Sequence, residues 1–140
     1  MKVLLPVDGS DYTKRMLSYI AAHSELLGPG HEYTVFTAVP QIPVRATRFL
    51  DAGTVDDYYA DQAEQVLKPV RAFADQQGWK ISIVQVHGHA AEAIAEFAEK
   101  DKSDLIVMGT HGHSALGSMI LGSVASGVLA RCTVPVLLIR

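Results

Sequence analysis

The residues with the clearest chemical potential form a glycine-rich loop near the end of the chain. Gly109-Thr-His-Gly-His-Ser114 follows an apolar segment, and Gly122-Ser123 begins ten residues after Gly112. Glycine lets backbone N–H groups approach a phosphate closely, and a helix beginning near Gly117 would add the positive end of its dipole. Ser123 offers a hydroxyl and an amide to the same phosphate. These residues together suit a phosphate, whereas each glycine alone would indicate only a turn or a tight helix contact.

The acidic residues are distributed in a way that suits a polyanion at this loop. All fifteen carboxylates lie between Asp8 and Asp104, and residues 105–140 contain none. Carboxylates near the loop would repel a phosphate chain, so their absence favours binding. It also leaves no candidate general base in the phosphate loop.

Five short apolar segments predict the strands that must position these residues. The first, fourth and fifth are continuously apolar, as expected for parallel strands buried on both faces, and the other two are more polar and suit positions near an edge. The predicted strands are Val3 to Val7, Tyr33 to Val39, Ile81 to Val86, Leu105 to Met108 and Val134 to Ile139.

Amphipathic stretches between these segments predict helices. Gly28-Pro-Gly30 should end the first helix, and Pro69 inside the second predicts a kink or break near Val66. The apolar stripes are Met16, Leu17, Ile20, Ala21 and Leu27; Tyr59, Ala63, Val66, Val70 and Phe73; Ala91, Ile94, Ala95 and Ala98; and Leu116, Ile120, Val124 and Val128.

The strict alternation predicts an α/β fold, an open five-stranded parallel sheet with helices on both faces, Rossmann-like. If the chain runs outward from the first strand and then crosses back past it, the strand order is 3-2-1-4-5. In such a sheet the ligand crevice lies beyond the carboxyl ends of the strands where strand order reverses. The loop Asp8-Gly-Ser10 would then face the glycine-rich loop.

Composition favours one soluble, cytoplasmic domain over residues 1–140. Twelve basic and fifteen acidic residues give a net charge of -3, which argues against a nucleic-acid surface. The longest apolar run, Val134 to Ile139, is too short to span a membrane. Cys132 has no partner for a disulfide, which fits a reducing compartment, and we expect it to be buried and structural.

Two features allow more than one interpretation. The stretch Pro40 to Asp57 is expected to be a long surface loop or a frayed helix entry, or else a lid that carries Arg45 or Arg48 toward an anion. The pairs His87-Gly-His89 and His111-Gly-His113 invite a zinc site, but the strands before them would lie about 14 Å apart at roughly 4.8 Å per interval. We therefore expect no metal on protein side chains, with His111 and His113 as phosphate neighbours or solvated loop residues.

The motif Gly109-x2-Gly112-x9-Gly122-Ser123 resembles that of the ATP-binding branch of the universal stress protein family. The resemblance extends along the chain, through Val-Leu-Leu-Pro-Val-Asp-Gly-Ser at the start, Asp104-Leu-Ile-Val-Met-Gly-Thr-His-Gly112, and Val134-Pro-Val-Leu at the close. His89 departs from the family, which often has proline there. The resemblance implies a fold of the adenine nucleotide alpha hydrolase type and a cleft for an adenine nucleotide.

The resemblance also implies which residues contact the nucleotide. Asp8, with Pro6 and Val7, would face adenosine, accepting from ribose hydroxyls or the adenine amino group, although Asp8 also suits a turn before a helix. The backbone of Val39 would contact the adenine edge. The ribose and phosphates would lie on Met108, Gly109, Thr110, His111, Gly112 and His113, and on Gly122, Ser123 and Val124.

These features favour a nucleotide-binding regulatory protein that takes ATP or another adenine nucleotide, with Mg²⁺ on the phosphates and little or no turnover. The alternative is an enzyme, a slow ATP hydrolase or phosphotransferase, in which Asp8 or His111 assists. A stress-induced adaptor without nucleotide is disfavoured by the intact motif.

Pro135 confines the last strand to an edge of the sheet, so its apolar residues Val134 to Ile139 predict a homodimer, as the resemblance also implies.

Overall fold

A computed structural model describes residues 1–114 and 117–140 of the chain. Its five strands are β1 (Lys2–Pro6), β2 (Glu32–Val39), β3 (Ile81–His87), β4 (Leu105–Gly109) and β5 (Val136–Ile139). Its helices are α1 (Asp11–Ala22), α2 (Ser24–Leu27), α3 (Val44–Thr47), α4 (Ala52–Gln77), α5 (Ala90–Asp101) and α6 (Ser123–Arg131). No helix in the described residues is long and apolar enough to cross a membrane.

The five strands form one parallel sheet in the order β3-β2-β1-β4-β5, which confirms the predicted fold class. The central strand β1 pairs with β2 on one side and with β4 on the other, with Val3 opposite Leu105 and Leu4 opposite Ile106. The chain therefore builds outward to β3, crosses back past β1, and finishes at β5.

Alternate residues of β1 point to opposite faces of the sheet, and each face has its own core. Val3 and Leu5 join Met16 of α1 and Leu67 of α4 on one face. On the other face, Leu4 packs with a second set contributed by β2, β4, α5 and α6, namely Phe36, Ile106, Ile94 and Val128. Helices therefore cover both faces, as the apolar pattern predicts.

Two predicted helices differ in detail from the structure. The first stripe is divided at His23 into α1 and α2, although Leu27 is still buried. The break predicted near Val66 does not occur, because α4 continues past Pro69 to Gln77. Pro69 lies on the exposed side of α4, while Leu67 and Val70 are buried and hold the helix against the sheet.

The last helix begins later than predicted. It starts at Ser123 rather than near Gly117, Ile120 is 88% exposed, and Leu116 lies outside the described residues. The reason is that the backbone before Ser123 is bonded elsewhere: the N–H of Gly122 donates to the Thr110 carbonyl over 2.7 Å. Of the predicted stripe, Val128 is buried in the core.

The stretch Pro40 to Asp57 is partly helical. It contains α3 and the first turns of α4, where the Asp51 side chain accepts a hydrogen bond from the Thr54 N–H over 2.7 Å. Arg45 and Arg48 are exposed, and neither lines the main cleft described below. The stretch is therefore a surface segment that leads into a capped helix, and its two arginines lie outside the main cleft.

The packing of α5 against α6 yields a test of the fold. A Cβ added to Gly127 of α6 would lie 2.6 Å from the Cβ of Ala91 in α5. Gly127→Ala should therefore lower the free energy of unfolding in urea by about 1–3 kcal/mol, the cost of overpacking, although alanine is the better helix former. Gly30→Ala is the matched control, because its added Cβ meets no described atom within 4 Å. Equal stabilities of the two variants would contradict the packing.

Candidate functional site

A cleft of about 890 Å³ opens at the carboxyl ends of β1 and β4. These strands are neighbours only because strand order reverses at β1, and the reversal leaves a crevice between their loops. All thirteen residues predicted for the site line this cleft: Pro6, Val7, Asp8, Val39, Met108, Gly109, Thr110, His111, Gly112, His113, Gly122, Ser123 and Val124.

Asp8 uses its two carboxylate oxygens differently. Oδ1 accepts from the Ser10 N–H over 2.9 Å and from the Thr13 hydroxyl over 3.0 Å, so the predicted turn before α1 is present. Oδ2 lies against Gly112, where an added Cβ would collide with it. The turn therefore occupies one oxygen and holds the other toward the glycine-rich loop.

The glycines of the motif are also required by packing. A Cβ at Gly109 would lie 2.6 Å from the Cβ of Tyr12, and one at Gly122 would lie 2.9 Å from the carbonyl oxygen of Thr110. Both values are below the approach that side chains tolerate. The spacing that predicts a phosphate site is thus needed to bring the loop, α1 and the start of α6 together.

His111 and His113 brace the loops that form the cleft. His111 donates from Nε2 to the Met119 carbonyl over 2.7 Å, which leaves Nδ1 to accept from the Thr110 hydroxyl over 3.0 Å. His113 donates from Nε2 to the Asp8 carbonyl over 2.7 Å and so links the two facing loops directly.

The two histidine pairs follow β3 and β4, and these strands are three intervals apart in the sheet. The ring of His87 stacks on Tyr59, with centroids 4.2 Å apart and planes 9° from parallel. Among residues 1–114 and 117–140, no group of three or more His, Cys, Asp and Glu side chains is placed to hold a metal ion.

The electrostatics of the cleft depend on the backbone. Asp8 is the one carboxylate among the described lining residues, which include no lysine or arginine. The N-terminus of α6 supplies positive potential for an anion, and its nine residues begin at Ser123 after the cap Gly122. The first N–H groups of a helix have no partner within it and attract negative charge.

Sequence reasoning missed the wall that α4 contributes. Gln62, Gln65 and Val66 line the cleft, together with Thr37 of β2 and Ile94 of α5. Periodicity assigns Val66 to the core stripe of its helix, and nothing in a single sequence relates that helix to the loop after β1. The usable signal is the polar pair Gln62 and Gln65, three residues apart on one side of α4.

The bridge between the two loops can be tested by hydrogen exchange. His113→Ala removes the bond to the Asp8 carbonyl, and the hydrogen-bonded amides of Thr110 and Gly122 should exchange roughly five-fold faster, since such a bond contributes about 1 kcal/mol. His89→Ala is the control, because His89 is also exposed and forms no side-chain hydrogen bond with the described residues. Unchanged exchange in the His113 variant would show that the bridge does not hold the loop.

Comparison with known proteins places this cleft in a family. The profile of the universal stress protein family matches residues 1–140. The chain is 32% identical over 140 residues to the universal stress protein MJ0531 of Methanocaldococcus jannaschii, covering 99% of this chain and 81% of that protein.

Solved structures agree with the sequence comparison. The structure of MJ0577, from the same organism, superposes with a TM-score of 0.82 at 25% identity, covering 99% of this chain and 94% of that one. The universal stress protein of Archaeoglobus fulgidus in complex with dAMP gives a TM-score of 0.71 at 22% identity, covering 100% and 98% of the two chains. A universal stress protein in complex with cAMP gives 0.66 at 24% identity, covering 100% and 96%. Because the family profile matches the whole chain and the fold superposes on these structures, the chain belongs to the universal stress protein family.

Proposed function

We propose that this protein binds an adenine nucleotide, with ATP as its expected ligand, in the cleft between the β1 and β4 loops. The observation that carries the proposal is the arrangement of Asp8 opposite the glycine loop and the N-terminus of α6 within one cavity. The family members solved with dAMP and with cAMP support adenine nucleotides as the ligand class.

The two ends of the cleft suit the two parts of a nucleotide. The adenosine end is formed by the loops after β1 and β2, where Oδ2 of Asp8 can accept from a ribose hydroxyl or the adenine amino group and the Val39 backbone borders the base. Apolar Pro6 and Val7 complete this end. The phosphate end is formed by Gly112 and by Gly122 to Val124, where backbone N–H groups are the expected donors.

The absence of lysine and arginine from the described lining residues bears on how ATP would enter. A triphosphate carries several negative charges, and the helix dipole supplies only about half a positive charge. Mg²⁺ on the phosphates would neutralise much of the rest, so we propose that ATP binds with Mg²⁺. The phosphate oxygens would hold the ion, and the N-terminus of α6 would position them.

A regulatory role with little turnover is favoured over hydrolysis. A general base needs a free acceptor near the attacking water. Both nitrogens of His111 are engaged with loop groups, and Oδ1 of Asp8 is engaged in the turn. The other oxygen of Asp8, Oδ2, would be engaged by the adenosine of the bound nucleotide. Release of labelled phosphate from ATP faster than in buffer, abolished by His111→Ala, would instead support the slow hydrolase.

The unpaired Cys132 suits a reducing compartment, and we propose a cytoplasmic location.

The direct test of the proposal is nucleotide binding by the purified protein. The protein is denatured and any released nucleotide is identified by chromatography, and stripped protein is titrated with ATP and Mg²⁺ by calorimetry. We expect an adenine nucleotide in the first assay or saturable binding in the second. Protein that carries no nucleotide and does not bind millimolar ATP with Mg²⁺ would overturn the proposal.

Substitutions at Asp8 separate ligand binding from the turn. Asp8→Asn keeps an oxygen for Ser10 and Thr13 but replaces Oδ2 with an amide, so affinity should fall roughly 10- to 100-fold while the urea midpoint changes little, since a hydrogen bond to a charged group contributes about 1.5–3 kcal/mol. Asp8→Ala should lower both. Native affinity in Asp8→Asn would limit Asp8 to its turn.

We also propose a homodimer through the edge strand β5. The carbonyls of Pro135 and Ile139 accept hydrogen bonds from β4 and the loop after it, so by strand alternation the N–H groups of Val136 and Leu138 point to the open edge. The side chains of Val136, Leu137 and Leu138 are only partly covered. An open edge with apolar residues tends to pair with another strand.

Val136→Pro tests the dimer without disturbing the sheet of one subunit. It removes an N–H at the open edge and leaves the bonds to β4 intact, so sedimentation should show a lower mass than that of the native chain. Val136→Thr, which keeps the N–H and the shape, is the control. Substitution of Ile139 is unsuitable because this residue is only 8% exposed and belongs to the core. A proline variant of unchanged mass would exclude pairing through β5.

A further inference from the structure

A second apolar surface lies beside the cleft, around α3 and the start of α4. We call this the α3 surface and define it by Val44, Phe49, Leu50 and Tyr58, which are all exposed. Phe49 is 87% exposed and Val44 is 73% exposed. A single exposed apolar residue is common, but four together with a fully protruding phenyl ring mark an interaction site.

The α3 surface contains both a protruding ring and a groove. The groove, of about 410 Å³, is bordered mainly by apolar groups, among them Ile42, Pro43, Leu50 and Tyr58. Phe49 is not among the described residues that line it, so its ring does not fill the groove of its own subunit. One short segment therefore supplies both a ring and a groove. When two copies face each other, the ring of each copy can enter the groove of the other.

The charged residues around the α3 surface include both basic and acidic side chains. Arg45 and Arg48 lie before Phe49, and Asp56 and Asp57 lie after it on α4. All four are exposed, and within residues 1–114 and 117–140 none forms a side-chain ion pair. A surface that binds an oppositely charged partner would carry charges of one sign. In a two-fold interface, residue i of each copy contacts residue j of the other, so a surface that carries both signs can pair with a second copy of itself.

We propose that the α3 surface is a two-fold interface between copies of this chain. Phe49 of each copy enters the groove of the other, and Arg45 and Arg48 face Asp56 and Asp57 of the other copy. Two phenylalanine side chains bury about 300–500 Å² together, below the roughly 1,200 Å² or more of a standard interface, so the association is weak unless the other apolar residues add to it. The surface does not include β5, and the proposal is therefore independent of the edge-strand dimer and of nucleotide binding.

Charge reversal tests the pairing directly. One chain carries Arg45→Glu and Arg48→Glu, and another carries Asp56→Lys and Asp57→Lys. Each should show a lower mass than the native chain in sedimentation from about 1 µM to about 1 mM, because like charges then face each other across the two-fold axis. An equimolar mixture should recover the native mass, since every contact between the two variants again joins an acid to a base.

Two further variants distinguish a specific interface from a general effect of net charge. Lys80→Glu with Lys100→Glu changes the net charge as much as the arginine reversal does, at exposed positions outside the α3 surface, and should keep the native mass. Phe49→Ala leaves the net charge unchanged and should weaken association about ten-fold at an unchanged urea midpoint, because the exposed ring contributes little to the fold of its own subunit. Native mass in every variant, or a mixture that remains dissociated, would overturn the proposal and leave the surface to a different protein.

Discussion

The pairing of Val3 and Leu4 with Leu105 and Ile106 joins the two halves of the sheet at β1. Because this pairing is parallel, the loops that leave β1 and β4 emerge at the same edge. The loop with Asp8 and the loop with Gly112 therefore meet, although 104 residues separate Asp8 from Gly112 in the chain. Without this contact, neither the cleft nor its phosphate end would exist.

The residues at this junction serve the fold and the site at once. Thr110 donates its N–H to the Ile139 carbonyl, accepts from the Gly122 N–H, and donates its hydroxyl to His111. The same set of bonds ends β4, connects it to β5, and delays the start of α6 until Ser123. A change at Thr110 would therefore affect the position of the α6 N-terminus and the stability of the sheet together, whereas the second oxygen of Asp8 can be altered separately.

The cleft relies on dipoles and cavity shape more than on charged side chains. Its described lining has one carboxylate and no ammonium or guanidinium group, so the field at the phosphate end comes from oriented N–H groups. These groups are fixed by the backbone and cost little to organise when a ligand arrives. Arg45, Arg48, Asp56 and Asp57 do not line the cleft and instead lie around the exposed apolar residues of the α3 surface.

From the sequence, apolar periodicity predicted the strands and the two core faces, because it is a local signal, and the rules of parallel sheets placed the loops after β1 and β4 opposite each other. The resemblance to the universal stress protein family supplied the thirteen predicted site residues, and all of them are among the residues that line the cleft. Periodicity alone misplaced the start of α6, since it does not register hydrogen bonds such as Gly122 to Thr110. Pro69 predicted a kink or break near Val66, but α4 continues through it with Leu67 and Val70 buried against the sheet. Only the tertiary structure decided that α4 forms a wall of the cleft through Gln62 and Gln65, and that Phe49 protrudes beside an open groove. The wall of the cleft joins segments far apart in the chain, and the exposure of Phe49 depends on whether any other element packs over it. No local pattern encodes either.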